Sequence, residues 1–536
     1  MTLDGLIAWL DAAMLRLPKK KPSARVKHVR RLYAILDAQG CDWALRGDWH
    51  ALAGKVAQLL KVPAPAEPEK PSADAQVRAR QIAPPPQKKR AWITQKQRRE
   101  LVKKPKRETI EVNAQLQAAF DAVAARRPIL FVTGGAGTGK STFIHELRAR
   151  FPEKQSVVLA PTGVAALNAG GQTIHSFCQL PLRPFFPGDA RAAEEPELIK
   201  ALDLVIIDEI SMVRADILDG VDAFLRLNRK SQQPFGGVQM VLVGDLFQLP
   251  PVVTPADRES IDTRYATPQF FSAHALRGLK FFPVVLEIVY RQRDASFAEM
   301  LAKIRDGEGA GDAVRQLNEH CVGRALKGQH LILVPTRKAA AAENDARLAQ
   351  LPGPERAYTA RREGTFETAP DDRLPAPPRL ALRKGAQVMF VRNDSERRWV
   401  NGTLGIVKEL HDTYVRVRLD DGPSFEVERI EWQDVRYALN EEKRIVEEVA
   451  GTYEQFPLMP AWAVTIHKAQ GLTLARVLVD LDRGAFAEGQ VYVALSRCQT
   501  LEGLSLRRPV RLAEVRCSES ARAFYAKMRW RSRSGA

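Results

Sequence analysis

Four short apolar runs stand close together in the chain: ILFV at 129–132, VVLA at 157–160, LVII at 204–207 and VQMVLV at 238–243. Each is too short for a helix, is rich in β-branched residues and stops at a polar or glycine-rich exit. Each is therefore predicted as a strand buried on both faces. A helically spaced stretch at 115–123 leads to the first, and further helical stretches separate them. This alternation predicts an α/β protein, with a parallel sheet covered by helices on both sides. Runs at 331–334, 387–391, 461–466, 477–481 and 490–495 repeat the scheme and predict a second parallel sheet.

One stretch follows another period. Val415, Val417 and Leu419 alternate with polar residues, Asp421–Gly422 make a turn, and Phe425 and Val427 alternate again. With 404–407 this predicts an antiparallel hairpin and a small barrel inserted into the second half, over 403–445. The first residues differ from both halves. Leu3, Leu6, Leu10 and Met14 share a helical stripe, as do Val26, Val29, Leu32 and Leu36, so a small helical module is predicted over 1–61. Residues 62–87 hold seven prolines and predict a semi-rigid linker.

Charge changes the picture of that extension. The net charge is +18 over 536 residues, and residues 1–107 carry 24 Lys/Arg against 9 Asp/Glu. Residues 88–107 place ten basic side chains beside a single acid, Glu100. Such a tethered strip binds phosphates without reading sequence, so a nucleic-acid or protein contact is expected there. Five cysteines form no C-x-x-C pair, which fits neither a disulfide framework nor a zinc site and suits a reducing compartment. No secretory signal and no membrane-spanning run is apparent, so a cytoplasmic location is expected, on the nucleoid if the source is bacterial.

The candidate chemistry lies at the carboxyl ends of the predicted strands, where open α/β sheets place ligands. After 129–132 the chain reads TGGAGTGKST, a G-x-x-x-x-G-K-S turn leading into a helix. Its backbone N–H groups, at Gly134, Gly135, Ala136, Gly137, Thr138 and Gly139, can curl around a phosphate chain, joined by the helix start at Lys140, Ser141 and Thr142. Lys140 reaches the terminal phosphates, and the Ser141 hydroxyl suits Mg²⁺. Asp208–Glu209 end the 204–207 strand: Asp208 is the second candidate for Mg²⁺, Glu209 the candidate base for an attacking water. Gln248 follows Asp245 on a loop stiffened by Pro250 and Pro251, and can report on a γ-phosphate. Arg291 and Arg497 are candidates for reaching that phosphate from the second half. His175 and His467 lie on loops at the same sheet edges.

The segments GGAGTGKST, APTGVAALNAGGQTIHSF, IIDEISMV, GDLFQLPPV, YRQ, AWAVTIHKAQGLT and VYVALSR resemble, in order and wording, the petite-integration-frequency (PIF) helicases, RecD-like members of superfamily I. The resemblance runs from about 110 to 507. It implies two RecA-like domains, at 108–280 and at 281–402 with 446–536, the insert being SH3-like. It implies an enzyme using ATP and Mg²⁺ to move 5′ to 3′ along single-stranded DNA and to open duplex junctions in repair, recombination or replication; a monomer is expected. It places Thr162, Gly163, His175, Phe177, Thr465 and His467 along the DNA track. Three departures accompany it. The adenine-reading glutamine is Gln115 or Gln117, neither in the usual register. The stretch from Phe177 to Asp203, where a strand-separating wedge would lie, is short. Ala469 replaces a frequent serine. A DNA-dependent ATPase that does not separate strands, and an ATP-switched nucleic-acid-binding protein, stay open as alternatives.

Overall fold

The computed structural model describes residues 113–534 except 293, 421, 483 and 486, so the expected helical module and linker lie outside the described residues. The first sheet contains β1 (Ile129–Gly134), β2 (Ser156–Ala160), β3 (Gln172–Thr173), β4 (Leu204–Ile207), β5 (Gln239–Val243) and β6 (Phe281–Leu286). All are parallel, in the order β3-β2-β4-β5-β1-β6. β1 lies between β5 and β6 and is buried along its whole length, which is why it reads as an unbroken apolar run. Its side chains alternate between two cores. Leu130 and Val132 pack with Leu116, Phe120 and Val123 of α1 (Ala114–Ala124) and with Phe143 and Leu147 of α2 (Lys140–Arg150). Ile129 and Phe131 face the opposite layer, built on Leu218, Val221, Phe224 and Leu225.

β6 carries this sheet past the domain boundary expected at residue 280. It pairs with β1 from Ile129↔Phe281 to Gly134↔Leu286. It is an edge strand, the place in a sheet that tolerates its Pro283.

The second sheet is also parallel. β7 (Leu331–Val334), β8 (Ala463–Thr465), β9 (Val477–Val479) and β10 (Leu504–Leu506) lie in the order β8-β7-β9-β10. Two runs expected there are elsewhere. Residues 387–390 pair antiparallel with Leu404–Leu410 and with Leu458–Pro460. Gln490–Leu495 is a helix with all six residues buried, entered through Gly489 at φ +69°. A short continuous apolar run has no period that separates a buried strand from a buried helix.

The alternating stretch forms the hairpin Tyr414–Leu419 with Ser424–Glu428, and Leu404–Leu410 pairs with it. The antiparallel strands extend well beyond 403–445, from Arg356 to Pro460. Among them Ile430–Leu439 and Ile445–Gln455 make a long hairpin that touches the first sheet. There the Tyr437 hydroxyl accepts from Val158 N–H at 2.9 Å and donates to the Val158 carbonyl at 3.3 Å.

Two helices tie the halves together. One, Ala295–Asp306, follows β6 and packs in the core of the second sheet through Phe297, Leu301 and Ile304. The terminal helix, Glu519–Ser534, was expected with the second domain yet lies on the first sheet. The Phe524 ring centroid is 6.0 Å from Phe131 and stacks 4.6 Å from Phe271. Phe271 and Phe524 are partly buried, so each ring stabilises the contact by less than the roughly 1.5–3 kcal/mol of a fully buried side chain.

Candidate active site

The cradle begins where β1 runs into its turn. Gly137 (φ +80°) and Gly139 (φ +87°) hold left-handed backbone that a side chain would strain. Gly137 is fixed a second time, because a Cβ there would fall 2.3 Å from that of Arg291. Lys140, at the first turn of α2, donates to the Gly134 and Gly135 carbonyls at 2.9 and 2.8 Å. Burial lowers its pKa against the opposing pull of Asp245 and Glu209. Thr138 donates to the Gly135 carbonyl at 3.0 Å, Thr142 is half-buried and Ser141 is exposed. The Ala136 N–H is aimed at the Tyr492 hydroxyl, 2.8 Å away.

Asp208 and Glu209 stand at the end of β4, two strands from the cradle. Glu209 adopts φ +49°, ψ +43°, a left-handed conformation that costs a residue with a side chain about 1–3 kcal/mol. Strain at a catalytic candidate, with no glycine to relieve it, fits a position kept for its carboxylate. Burial and the neighbouring Glu209 push Asp208 up to about 7. Burial also raises Glu209, while Lys140 and Arg497 oppose it. Two adjacent carboxylates raised by burial are oxygen donors suited to a hard divalent cation.

Gln248 is buried, with its amide 3.4 Å from Asp245 Oδ2. Arg291, expected to reach in from the second half, instead follows β6 of the first sheet, where Tyr290 N–H donates to Gly137 O at 2.9 Å. Its guanidinium points at loops of the second half: Thr473 Oγ1 at 3.0 Å, Gly471 O at 3.3 Å and Ser496 O at 3.4 Å. Arg497 is 1% exposed and donates to Val493 O at 2.9 Å and Ser496 Oγ at 2.8 Å. Burial and then the Arg291 charge lower it to about 9, with Glu209 among the groups opposing. The expected γ-phosphate residues thus converge on one seam between the two sheets.

The nucleic-acid candidates are less uniform. Thr162 is exposed and caps the helix Gly163–Ala169 by accepting from Ala165 N–H at 3.2 Å. Gly163 is half-buried, 3.4 Å from the Arg373 carbonyl as measured from an added Cβ. His175 and His467 are half-buried, and Thr465 Oγ1 accepts from Lys468 N–H at 3.1 Å. Phe177 does not belong with them. Its ring is buried edge-on against Phe224 and Tyr437, at 6.2 and 5.9 Å, so it is a core residue.

Several residues at the site were not singled out from sequence. Gln470 donates to Glu209 Oε2 at 3.1 Å and to Gln248 Oε1 at 3.4 Å. Its only signal was its place in HKAQG. Tyr492 stands beside VALSR without drawing notice. Arg305 pairs with Asp245 and Tyr525 reaches Thr133; neither lies in a motif. Of the two adenine candidates, Gln115 forms a reciprocal pair with Glu287: its Nε2 donates to Glu287 Oε2 at 2.9 Å and its Oε1 accepts from Glu287 N–H at 3.0 Å. Gln117 instead bonds Asp121 and Arg150.

Two parallel sheets meeting over a glycine-turn cradle define a P-loop protein of the two-sheet class. The model of the PIF1-like helicase family matches residues 109–313. The human "ATP-dependent DNA helicase PIF1" is 34% identical over 439 residues, covering 77% of this chain and 63% of that protein. "ATP-dependent DNA helicase Pif1" of Bdellovibrio bacteriovorus is 34% identical over 410 residues, covering 74% and 88%. The crystal structure of Bacteroides sp. Pif1 in complex with ADP-AlF4 superposes with a TM-score of 0.72 at 36% identity, covering 78% of this chain and 98% of the other. The Bacteroides Pif1 structure bound to ssDNA gives 0.58 at 37% identity, covering 78% and 97%. The chain belongs to the PIF1-like helicase family, and it spans 63% of the length of its human relative. Among the described residues no helix is long and apolar enough to cross a membrane.

Proposed function

We propose that this protein is an ATP-dependent DNA helicase that couples hydrolysis to movement along single-stranded DNA and to opening of duplex junctions, 5′ to 3′. The observation that carries the reading is the seam. Lys140, Glu209 and Gln248 stand on first-sheet elements, the Arg291 guanidinium bonds to loops of the second half, and Arg497 is held at the end of the helix Gln490–Leu495. Gly134 to Thr142 hold the ATP phosphates. Ser141 and Asp208 would hold Mg²⁺, which when bound neutralises charge on the phosphate oxygens. Glu209 orients and deprotonates the attacking water, Gln248 reads the γ-phosphate, and the two arginines stabilise charge that spreads in the transition state. Thr162, Gly163, His175, Thr465 and His467 line the DNA side. The antiparallel insert is a small SH3-like barrel, and the basic stretch before residue 108 adds a salt-sensitive DNA contact.

The deciding experiment measures ATP turnover and unwinding of 5′-tailed and 3′-tailed duplexes. Lys140→Ala and Glu209→Gln are expected to abolish both activities, and the wild-type protein to open the 5′-tailed substrate. Wild-type turnover in either variant overturns the site assignment. Turnover and movement without strand separation would leave a translocase.

A further inference from the structure

The turn after β8 touches three of the groups argued to act on the γ-phosphate side, Glu209, Gln248 and Arg291. It starts at Thr465, whose hydroxyl caps Lys468 N–H, and continues through Ala469 N–H to Thr465 O and Gln470 N–H to His467 O. Thr465, His467 and Gln470 therefore sit in one hydrogen-bonded unit. Gln470 leaves that unit toward the first sheet and donates to both Glu209 and Gln248. Just beyond it, one and three residues on, Gly471 O and Thr473 Oγ1 hold the Arg291 guanidinium.

We propose that Gln470 is a positioning residue that fixes the Glu209 carboxylate and the Gln248 amide from the opposite sheet, so that their alignment follows the turn carrying Thr465 and His467.

The chemistry of an amide explains the choice of side chain. Its NH₂ group offers two hydrogens, enough for one carboxylate oxygen and one amide carbonyl at once. With its carbonyl taken by Gln470, Gln248 turns its own NH₂ toward Asp245 and the cradle. With Oε2 held by Gln470, Glu209 keeps Oε1 for the attacking water. Glutamate in place of Gln470 supplies no donor, and alanine supplies nothing. The bonds cross the seam, so sliding of the second sheet against the first moves the catalytic carboxylate directly. This inference rests on the roles given above to Glu209 and Gln248.

The test uses the full chain, with ATP turnover measured with and without oligo-dT. Gln470→Ala and the similarly sized Gln470→Met are expected to lower oligo-dT-stimulated kcat by about tenfold, the scale set by small misplacement of a reacting group. KM for ATP and the oligo-dT dissociation constant stay within about twofold, the division expected of a positioning residue. Gln470→Glu falls at least as far. In a cycle with Gln248→Ala, the double variant loses no more than the worse single variant, because both act through one amide pair. A kcat within twofold of wild type in both Gln470→Ala and Gln470→Met overturns the inference. So does a rise in KM at constant kcat, or fully multiplicative losses in the cycle. Glu209→Gln separates the two levels: if that variant turns over ATP like wild type, the underlying site reading fails, and if it is dead while the Gln470 variants are normal, only the positioning role fails.

Discussion

The Arg305 guanidinium grips the Asp245 carboxylate, with Nη2 2.8 Å and Nε 3.1 Å from Oδ1, and the Asp245 side chain has no exposed surface. Burial alone would raise Asp245; Arg305 and Lys140 outweigh it and hold the carboxyl below its usual range. The same guanidinium lies 4.8 Å from the Phe247 ring centroid and 6.0 Å from that of Tyr525. Asp245 ends β5, whereas Arg305 belongs to a helix packed in the core of the second sheet, so a single ion pair joins the two layers beside the cradle.

Removing one member of a buried pair leaves the other charge without compensation. Arg305→Met is therefore expected to lower the unfolding free energy by about 3–5 kcal/mol, read by urea denaturation. Arg305→Met combined with Asp245→Asn is expected to recover part of that loss, because the stranded charge is gone.

His175 gives the protein an acid-sensitive contact. Burial, then Arg214 and Arg373, hold its pKa below the usual value, with Asp216 opposing. The unfolded chain binds a proton near pH 6.5 while the folded chain does not, so stability is full above that pH and falls as pH drops toward the folded pKa. His175→Gln is expected to lose less stability than wild type between pH 7.5 and 5.5. The difference should not exceed about 1.4 kcal/mol per pH unit, measured by denaturant titration at each pH.

Of the two adenine candidates, Gln115 is the one expected to meet the base of the nucleotide, because Glu287 holds it in place. The pairing orients Gln115 beside the segment that leads to Tyr290 and Arg291, next to Gly137. Gln115→Ala is expected to raise KM for ATP by about fivefold and to narrow the preference for ATP over GTP, as loss of about 1 kcal/mol of hydrogen bonding would. Gln117→Ala is expected to change neither; parallel ATP and GTP turnover assays decide.

The terminal helix is expected to stabilise the first sheet. The Tyr525 hydroxyl lies 2.6 Å from Thr133 Oγ1 and 3.4 Å from Leu246 N, and its ring stacks 5.2 Å from Phe247. Tyr525→Phe is expected to cost about 1–2 kcal/mol through the bonds left unmade. Phe524→Ala should cost about 3 kcal/mol by opening the Phe131, Phe270 and Phe271 cluster. Chemical denaturation of each variant measures both.

Sequence by itself determined whatever depends on neighbours along the chain. The apolar runs marked all four expected strands of the first sheet, and β-period alternation marked the hairpin around Asp421–Gly422. The glycine spacing fixed the cradle, and Asp208–Glu209 fixed the end of β4. These features follow from local backbone geometry and from burial of one short segment. Tertiary structure decided which distant segments meet. It made Gln490–Leu495 a helix, placed 387–390 in an antiparallel sheet, turned Phe177 into the core and returned Tyr525 to the first sheet. It also brought Gln470 to Glu209, 261 positions away. An apolar run states that it must be buried but not against what, and an isolated Gln, Tyr or Arg carries no period at all. Their partners are chosen by packing of the whole domain, where shape and hydrogen-bond satisfaction are settled together.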